Sequence, residues 1–283
     1  GSYQMVTDRG ESQFDMLKKL ELGREDFARI KAYCERVGIH FMSTPYNPED
    51  AELLNGLGVD AFKIASGQVV ELPFLKQVAR YGKRMIVSTG MADMEEVREA
   101  VEAIRGTGNH DLVILQCNTD YPSRIEDVNI RAMITMRDEL KVRVGYSDHV
   151  PHNMACYAAV ALGAEMIEKH FTLDNALPGP DHSSSLEPAA FAELVRGIRE
   201  VERSLGDGIK RPSEREQANT FGMRRSLVAA RDLSAGEVLT AGDLGSKRPA
   251  NGLSPKHLEA VVGRALAYPV RKDEALTWDA IAK

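Results

Sequence analysis

The stretch that most constrains this chain runs from Val142 to Pro188. Two short apolar runs, Val142–Tyr146 and Glu165–Ile167, each lead into a polar cluster: Ser147-Asp148-His149 after the first, Glu168-Lys169-His170 after the second. Between them Met154–Leu162 is rich in alanine and competent to form a helix. A strand–helix–strand unit forces its two strands to run parallel. Parallel strands joined this way end on one side of the sheet. His149 and His170 are therefore expected at the same rim, on neighbouring strands, where βα folds build their chemistry.

The same rhythm precedes this unit. Phe27, Ile30, Cys34 and Val37 recur at helical spacing and predict a helix over 24–37, closed by Gly38. Strands are expected at Ile39–Ser43, Ala61–Ala65, Arg84–Val87 and Leu112–Leu115, with helices over 49–57, 72–80, 94–104 and 130–140. A last helix over 188–205 places Phe191, Leu194, Val195, Ile198 and Val201 on one face. Only the opening residues, GSYQMVTDRGESQ, read as polar and irregular. Six consecutive βα units fit either an open doubly wound sheet or part of an eight-stranded barrel. The phosphate-binding glycine fingerprint of dinucleotide folds is absent, and each strand ends in small or polar residues, which suits a barrel with one continuous rim. The fold class expected is thus α/β, a (β/α)8 TIM barrel lacking its first two strands in this chain.

The rhythm stops after residue 205. Gly206–Asn219 is polar, contains Pro212, and sets a linker at 206–222 between a barrel domain over 1–205 and a small β-rich domain over 223–283. The small domain carries an internal echo: Glu237–Leu244 and Glu274–Ile281 share the pattern E-x-L-T-x-x-x-(L/I). At about 60 residues it is near the lower limit for independent folding, so docking on a barrel of its own or a neighbouring subunit is expected. A net charge of −6 argues against nucleic acid or an anionic membrane as partner. No apolar run approaches the ~20 residues of a spanning helix, and no signal peptide opens the chain. Three cysteines without metal or disulfide spacing point to a reducing, cytoplasmic setting.

At the predicted rim, His149 and His170 at adjacent strand ends can share a divalent ion, with water or substrate in the open positions. The competing reading is that either imidazole is hydrogen-bonded within the core. Lys63, Ser66, Ser88 and Ser147 fall on different strands at the same rim, and lysine with hydroxyls makes a cradle for phosphate or carboxylate. Strand ends also favour small polar residues for their own sake, so Lys63 weighs most: a lysine facing a barrel mouth requires an anionic partner. Thr119, Asp120 and Tyr121 are placed to orient a polyol, and Asp181, in a Pro/Gly-bounded loop, to reach sugar hydroxyls. His40, expected within a strand, and His110 and His257, expected in loops, read as structural or surface residues.

Together the runs STPYN (43–47), FKIASG (62–67), IVSTGM (86–91), QCNTDYP (116–122), GYSDH (145–149), EKHFTLD (168–174) and PGPDHSSSLEP (178–188) resemble the sialic acid (nonulosonic acid) synthase family. The C-terminal part, with KRPANG (247–252), resembles that family's antifreeze-like SAF domain. The resemblance implies condensation of phosphoenolpyruvate with an N-acylated mannosamine-type sugar, releasing phosphate. It implies that His149 and His170 hold Mn2+ or Mg2+, which acts as a Lewis acid on the sugar aldehyde. It implies that Lys63, Ser66, Ser88 and Ser147 hold phosphoenolpyruvate, with Thr44 beside them, and that Tyr121 and Asp181 face the sugar. It further implies a homodimer with swapped domains, in which Arg248 of one chain reaches the partner's barrel.

Three departures from the family pattern stand out. Gln68 replaces a glutamate found in many members, and Thr119 replaces an asparagine of the bacterial sialic acid enzyme. Both positions are expected near the sugar, and the CNTxYP form is closer to legionaminate-type synthases than to the neuraminate enzyme. The family's first two strands, with their E-I-G-x-N-H and K-x-Q motifs and a further phosphoenolpyruvate lysine, have no counterpart here. Two other functions fit the bare residues: an aldolase or lyase using Lys63 as a Schiff base, and a non-catalytic carbohydrate-binding protein.

Overall fold

The structure is a computed structural model and describes residues 13–179 and 181–282; residues 1–12, Pro180 of the PGPD motif and Lys283 lie outside the described residues, and with them most of the opening segment expected to be irregular. The chain divides into two compact units, 1–207 and 208–283.

In the first unit three helices, α1 (Gln13–Leu20), α2 (Arg24–Val37) and α3 (Pro48–Leu57), precede β1 (Ala61–Ile64). Then α4 (Leu72–Ala79), β2 (Arg84–Ser88), α5 (Met94–Arg105), β3 (Leu112–Cys117), α6 (Arg131–Leu140), β4 (Arg143–Asp148), α7 (Met154–Ala161), β5 (Ile167–Lys169) and α8 (Pro188–Leu205) follow. The five strands are all parallel and lie in the order β1-β2-β3-β4-β5. An open doubly wound sheet reverses its order at a switch point; strictly sequential order is that of a barrel wall.

Alternation along the strands makes two faces. Phe62, Ile64, Met85, Val87, Ile114, Val144 and Tyr146 join Leu75, Val78, Val97, Val101, Met133 and Cys156 of the helices in the main core. Ala61, Ile86, Val113 and Leu115, with Met166, form a small separate cluster on the opposite, inner face. Residues two further along each strand continue that inner face towards the rim. Gly145 belongs to it, and its lack of a side chain is required: a Cβ there would lie 2.4 Å from the Met166 carbonyl oxygen.

Helix ends follow their local chemistry. Asn47 caps α3 by accepting from Asp50 N–H at 2.8 Å, and Asp93 accepts from Glu95 and Glu96 N–H at the start of α5. At the end of the sheet away from the rim, four strand starts are tied by ions. Arg84 meets Asp111 at 2.9 Å, Arg143 meets Asp111 at 3.3 Å, and Arg143 meets Glu165 at 2.7 Å.

Several expectations are corrected. Ile39–Ser43 is strand-like in composition but forms no ladder, so among the described residues the sheet has five strands where six were expected. Strand propensity reflects fit to a half-buried pleated surface, and here Ile39 is 60% and Met42 44% exposed. His40 is therefore not within a strand; its Nδ1 lies 2.7 Å from Asp60. The polar segment 206–222 carries most of a helix, α9 (Glu214–Met223). Its start is a capping box: the Ser213 hydroxyl accepts from Glu216 N–H, and the Glu216 carboxylate accepts from Ser213 N–H. His257 likewise lies in a short 3-10 turn rather than an open loop, with its ring 5.3 Å from that of Trp278.

In the second unit β6 (Ser226–Ala229) pairs antiparallel with β7 (Leu244–Lys247), and α10 (Leu258–Val261) follows. The internal echo is structural. Glu237 accepts from Ser234 N–H and Glu274 from Arg271 N–H, each across three residues. Leu239 and Leu276 are both buried, and Thr240 and Thr277 each open a 3-10 turn.

Candidate active site

Strand pairing fixes which side chains meet at the rim. Cys117 on β3 pairs with Ser147 on β4, and Ser147 with Glu168 on β5. Lys63 and Ser88 occupy the same inner face of β1 and β2. A cleft of about 930 Å3 opens there, lined by Thr44, Lys63, Ser66, Ser88, Cys117, Thr119, Tyr121, Ser147, His149, Glu168, His170 and Asp181, among others. Ten of the thirteen residues expected at the site are thus brought together.

Of the other three, Asp120 does not line the cleft, and Gln68 and Arg248 are elsewhere. Gln68 is 3% exposed and turned away from the cleft into the backbone: its Nε2 donates to Pro45 O at 3.1 Å, and its Oε1 accepts from Ala65 N–H at 3.3 Å. It braces the Thr44 loop against the end of β1 and does not itself line the cleft. Arg248 belongs to the second unit, where its Nε donates to Met223 O at 3.0 Å.

Glu168 and Cys117, absent from the expected site, are in the cleft. Glu168 is its centre in this structure: Ser147 Oγ donates to Oε2 at 2.6 Å, Ser88 Oγ to Oε2 at 3.4 Å, and Lys63 Nζ stands 3.4 Å from Oε1. A lysine and two hydroxyls from three strands therefore converge on one anionic group. The signal for Glu168 was its parity with His170, two residues on along one strand. Ser66 Oγ adds a donor, 3.5 Å from Cys117 Sγ, and itself accepts from Gly90 N–H at 3.0 Å. A Cβ on Gly90 would lie 2.1 Å from Thr119 Oγ1 and 2.9 Å from Ser66 Oγ, so any side chain there would displace both hydroxyls. Burial pushes the Cys117 thiol up from its ordinary value, so it stands as a neutral wall, not a thiolate nucleophile.

Beside this cradle the rings of His149 and His170 are 5.1 Å apart, with Tyr121 4.1 Å from the first and 5.5 Å from the second. His149 Nδ1 lies 2.6 Å from Asn118 O; a carbonyl only accepts, so Nδ1 carries the hydrogen and Nε2 keeps its lone pair. Burial, the largest influence, lowers its pKa and favours the neutral ring. A neutral imidazole oriented by a backbone carbonyl is the usual form of a metal-ligating histidine. Among the described residues no three His, Cys, Asp or Glu side chains gather closely enough to hold an ion alone. The histidine pair is thus an incomplete ligand set open to substrate and water. Asp181 Oδ1 is also buried at the cleft with no hydrogen-bond partner, an acceptor open to a substrate hydroxyl. The two imidazoles fit a divalent ion whose other ligands come from substrate and water.

A parallel barrel wall with an anion cradle beside a histidine pair defines an enzyme site of the βα-barrel class. Residues 1–210 match the NeuB family and residues 224–282 the SAF domain, and the chain belongs to the NeuB family. It is 42% identical over 277 residues to an N,N'-diacetyllegionaminic acid synthase of Campylobacter jejuni, covering 97% of this chain and 83% of that protein. It is 33% identical over 269 residues to the human N-acetylneuraminate-9-phosphate synthase, covering 94% of this chain and 75% of that one. Among solved structures, the sialic acid synthetase of Leptospira borgpetersenii matches with a TM-score of 0.70 and 30% identity, over 77% of this chain and 76% of that one.

Proposed function

We propose that this protein is a nonulosonic acid synthase that condenses phosphoenolpyruvate with an N-acylated mannosamine-type sugar and releases phosphate. The observation that carries this is the convergence of Lys63, Ser88 and Ser147 on one carboxylate beside the His149–His170 pair. A lysine with converging hydroxyls suits the phosphate and carboxylate of phosphoenolpyruvate. Two strongly similar relatives carry legionaminic acid synthase names, which favours a sugar of the legionaminate series over a neuraminate precursor.

In the reaction the methylene carbon of phosphoenolpyruvate bonds to the sugar's aldehyde carbon, water adds at the former enol carbon, and phosphate leaves. Lys63, Ser66, Ser88 and Ser147 hold the phosphate and offset its charge throughout, which stabilises a departing anion more than a bound ester. Thr44 sits at the same mouth. Tyr121, against both imidazoles, and Asp181 and Thr119 orient the sugar. His149 and His170 would hold Mn2+ or Mg2+, which supplies Lewis acidity to a carbonyl oxygen.

The catalytic domain is read as 1–205 and the SAF domain as 223–283, joined through 206–222. Arg248 would serve a neighbouring copy in a domain-swapped homodimer, its guanidinium binding the sugar's N-acyl carbonyl. Among the described residues no helix is long and apolar enough to cross a membrane, in keeping with work on water-soluble substrates, and a cytoplasmic setting is proposed on the same ground as before.

The test is phosphate release from phosphoenolpyruvate with a panel of N-acylated sugars and Mn2+. Release that requires both substrates, with a nonulosonic acid identified by mass, is expected. Phosphate release without sugar, or no product with any sugar, would overturn the reading.

A further inference from the structure

Asp148 and Lys169 form an ion pair on the outer face of the sheet, behind the histidines. The carboxylate Oδ2 lies 2.7 Å from Lys169 Nζ, and the two side chains are 0% and 1% exposed. A carboxylate has about four acceptor sites, and Asp148 fills four. Tyr146 OH donates to Oδ1 at 2.7 Å and Val150 N–H to Oδ1 at 2.9 Å. Cys156 Sγ on α7 donates to Oδ2 at 3.0 Å, beside Lys169. Lys169 Nζ also donates to Val150 O. Burial and the adjacent carboxylate push the Tyr146 hydroxyl and Cys156 thiol up, so both stay protonated as donors.

The placement of these bonds matters more than their number. Asp148 and Lys169 are partners in the β4–β5 register, and each immediately precedes a histidine. Val150, on the other side of His149, has its N–H held by Asp148 and its carbonyl held by Lys169. The backbone is therefore tied to Lys169, the residue just before His170, on both sides of His149: before it through the Asp148 carboxylate and after it through the Val150 carbonyl. A fully consumed carboxylate has no capacity left for substrate or ion. We infer that Asp148 and Lys169 are positioning residues: a buried ionic clamp that fixes His149 relative to His170 so that the two imidazoles present their nitrogens to one divalent cation.

This rests on the histidine pair being a metal site, and the experiment separates the two claims. Mn2+ alone is titrated into the whole protein, and the free ion is followed by its electron paramagnetic resonance signal. Inorganic phosphate affinity and the denaturant midpoint are measured alongside. Wild type is expected to bind Mn2+ and His149→Ala to lose it; if wild type does not bind, or His149→Ala binds equally, the metal reading falls and the clamp's purpose with it. Asp148→Asn leaves a buried, unpaired ammonium and is expected to lower the midpoint. Asp148→Asn combined with Lys169→Met removes both charges and is expected to recover the midpoint. A purely structural pair would then recover Mn2+ affinity too. The clamp predicts that it does not: Mn2+ affinity stays 10- to 100-fold below wild type, the range for loss of groups that orient metal ligands. Phosphate affinity, set largely by Lys63, Ser66 and Ser88, none of them on β4 or β5, changes less than threefold. Mn2+ affinity within threefold of wild type in the folded double variant overturns the inference. If the single variant does not fold, the double variant decides alone.

Discussion

Gln68 offers a test that needs no substrate. Its amide donates to Pro45 O and accepts from Ala65 N–H in a site only 3% exposed. Gln68→Glu keeps the shape, and an ionised carboxylate there can accept from Ala65 but cannot donate to Pro45. A protonated carboxyl can do both. The folded state therefore favours the neutral acid, and its pKa rises above the ordinary glutamate value of about 4.3. Holding the proton at higher pH costs about 1.36 kcal/mol per unit. The ceiling on the deficit is thus about 1 kcal/mol at pH 5 and about 4 kcal/mol at pH 7. Because the folded pKa is the raised one, stability is intact below the ordinary value and drains away as pH rises. Paired urea melts of wild type and variant at pH 5 and pH 7 read this as a midpoint gap that widens with pH. A gap that does not change, or no gap at all, would refute the reasoning: it would mean that the carboxylate swings out of its slot into the cleft, where the family pattern expects residue 68 to meet the sugar.

Three further outcomes are expected. Lys63→Met deletes the charge facing Glu168 and should weaken phosphoenolpyruvate by about 2–3 kcal/mol, roughly 30- to 150-fold, with sugar binding changed far less in the same calorimetric titrations. Gly90→Ala forces Thr119 Oγ1 and Ser66 Oγ aside and should cost about 1–3 kcal/mol in denaturant melts, with a higher apparent KM for phosphoenolpyruvate. Cys34, Cys117 and Cys156 are all buried, and burial raises the thiol pKa of the last two; native protein at pH 7.5 should leave them unalkylated by iodoacetamide over the time in which urea-unfolded protein reacts at all three, as counted by intact mass.

Much of the barrel wall was legible because its strands announce themselves. Short apolar runs ending in Ser-Gly, Ser-Thr-Gly or Ser-Asp-His give both the strand and the end that carries chemistry, and α2 and α8 fall at their predicted bounds. Ile39–Ser43 misled because composition reports propensity, while a strand also needs a ladder partner. The helix α9 was hidden by its polarity, although Ser213 followed three residues later by Glu216 is a helix start in its own right. At the site, rim position followed from strand ends, but direction follows from parity. Counting in twos from Ala61, Ile86, Val113, Gly145 and Met166 reaches Lys63, Ser88, Cys117, Ser147 and Glu168 on one face, and would have placed Glu168 beside Lys63. Gln68 could not be resolved that way: it sits past the strand, in a turn whose hydrogen bonds choose between backbone and cleft.

The ionic ties among Arg84, Asp111, Arg143 and Glu165 have a consequence for divergence. They register four strand starts at the end of the sheet farthest from the cleft. Loops at the rim can accumulate substitutions while this lattice keeps the strands in step. A lineage could thus exchange one amino sugar for another by drift at the mouth alone, with its scaffold inherited unchanged.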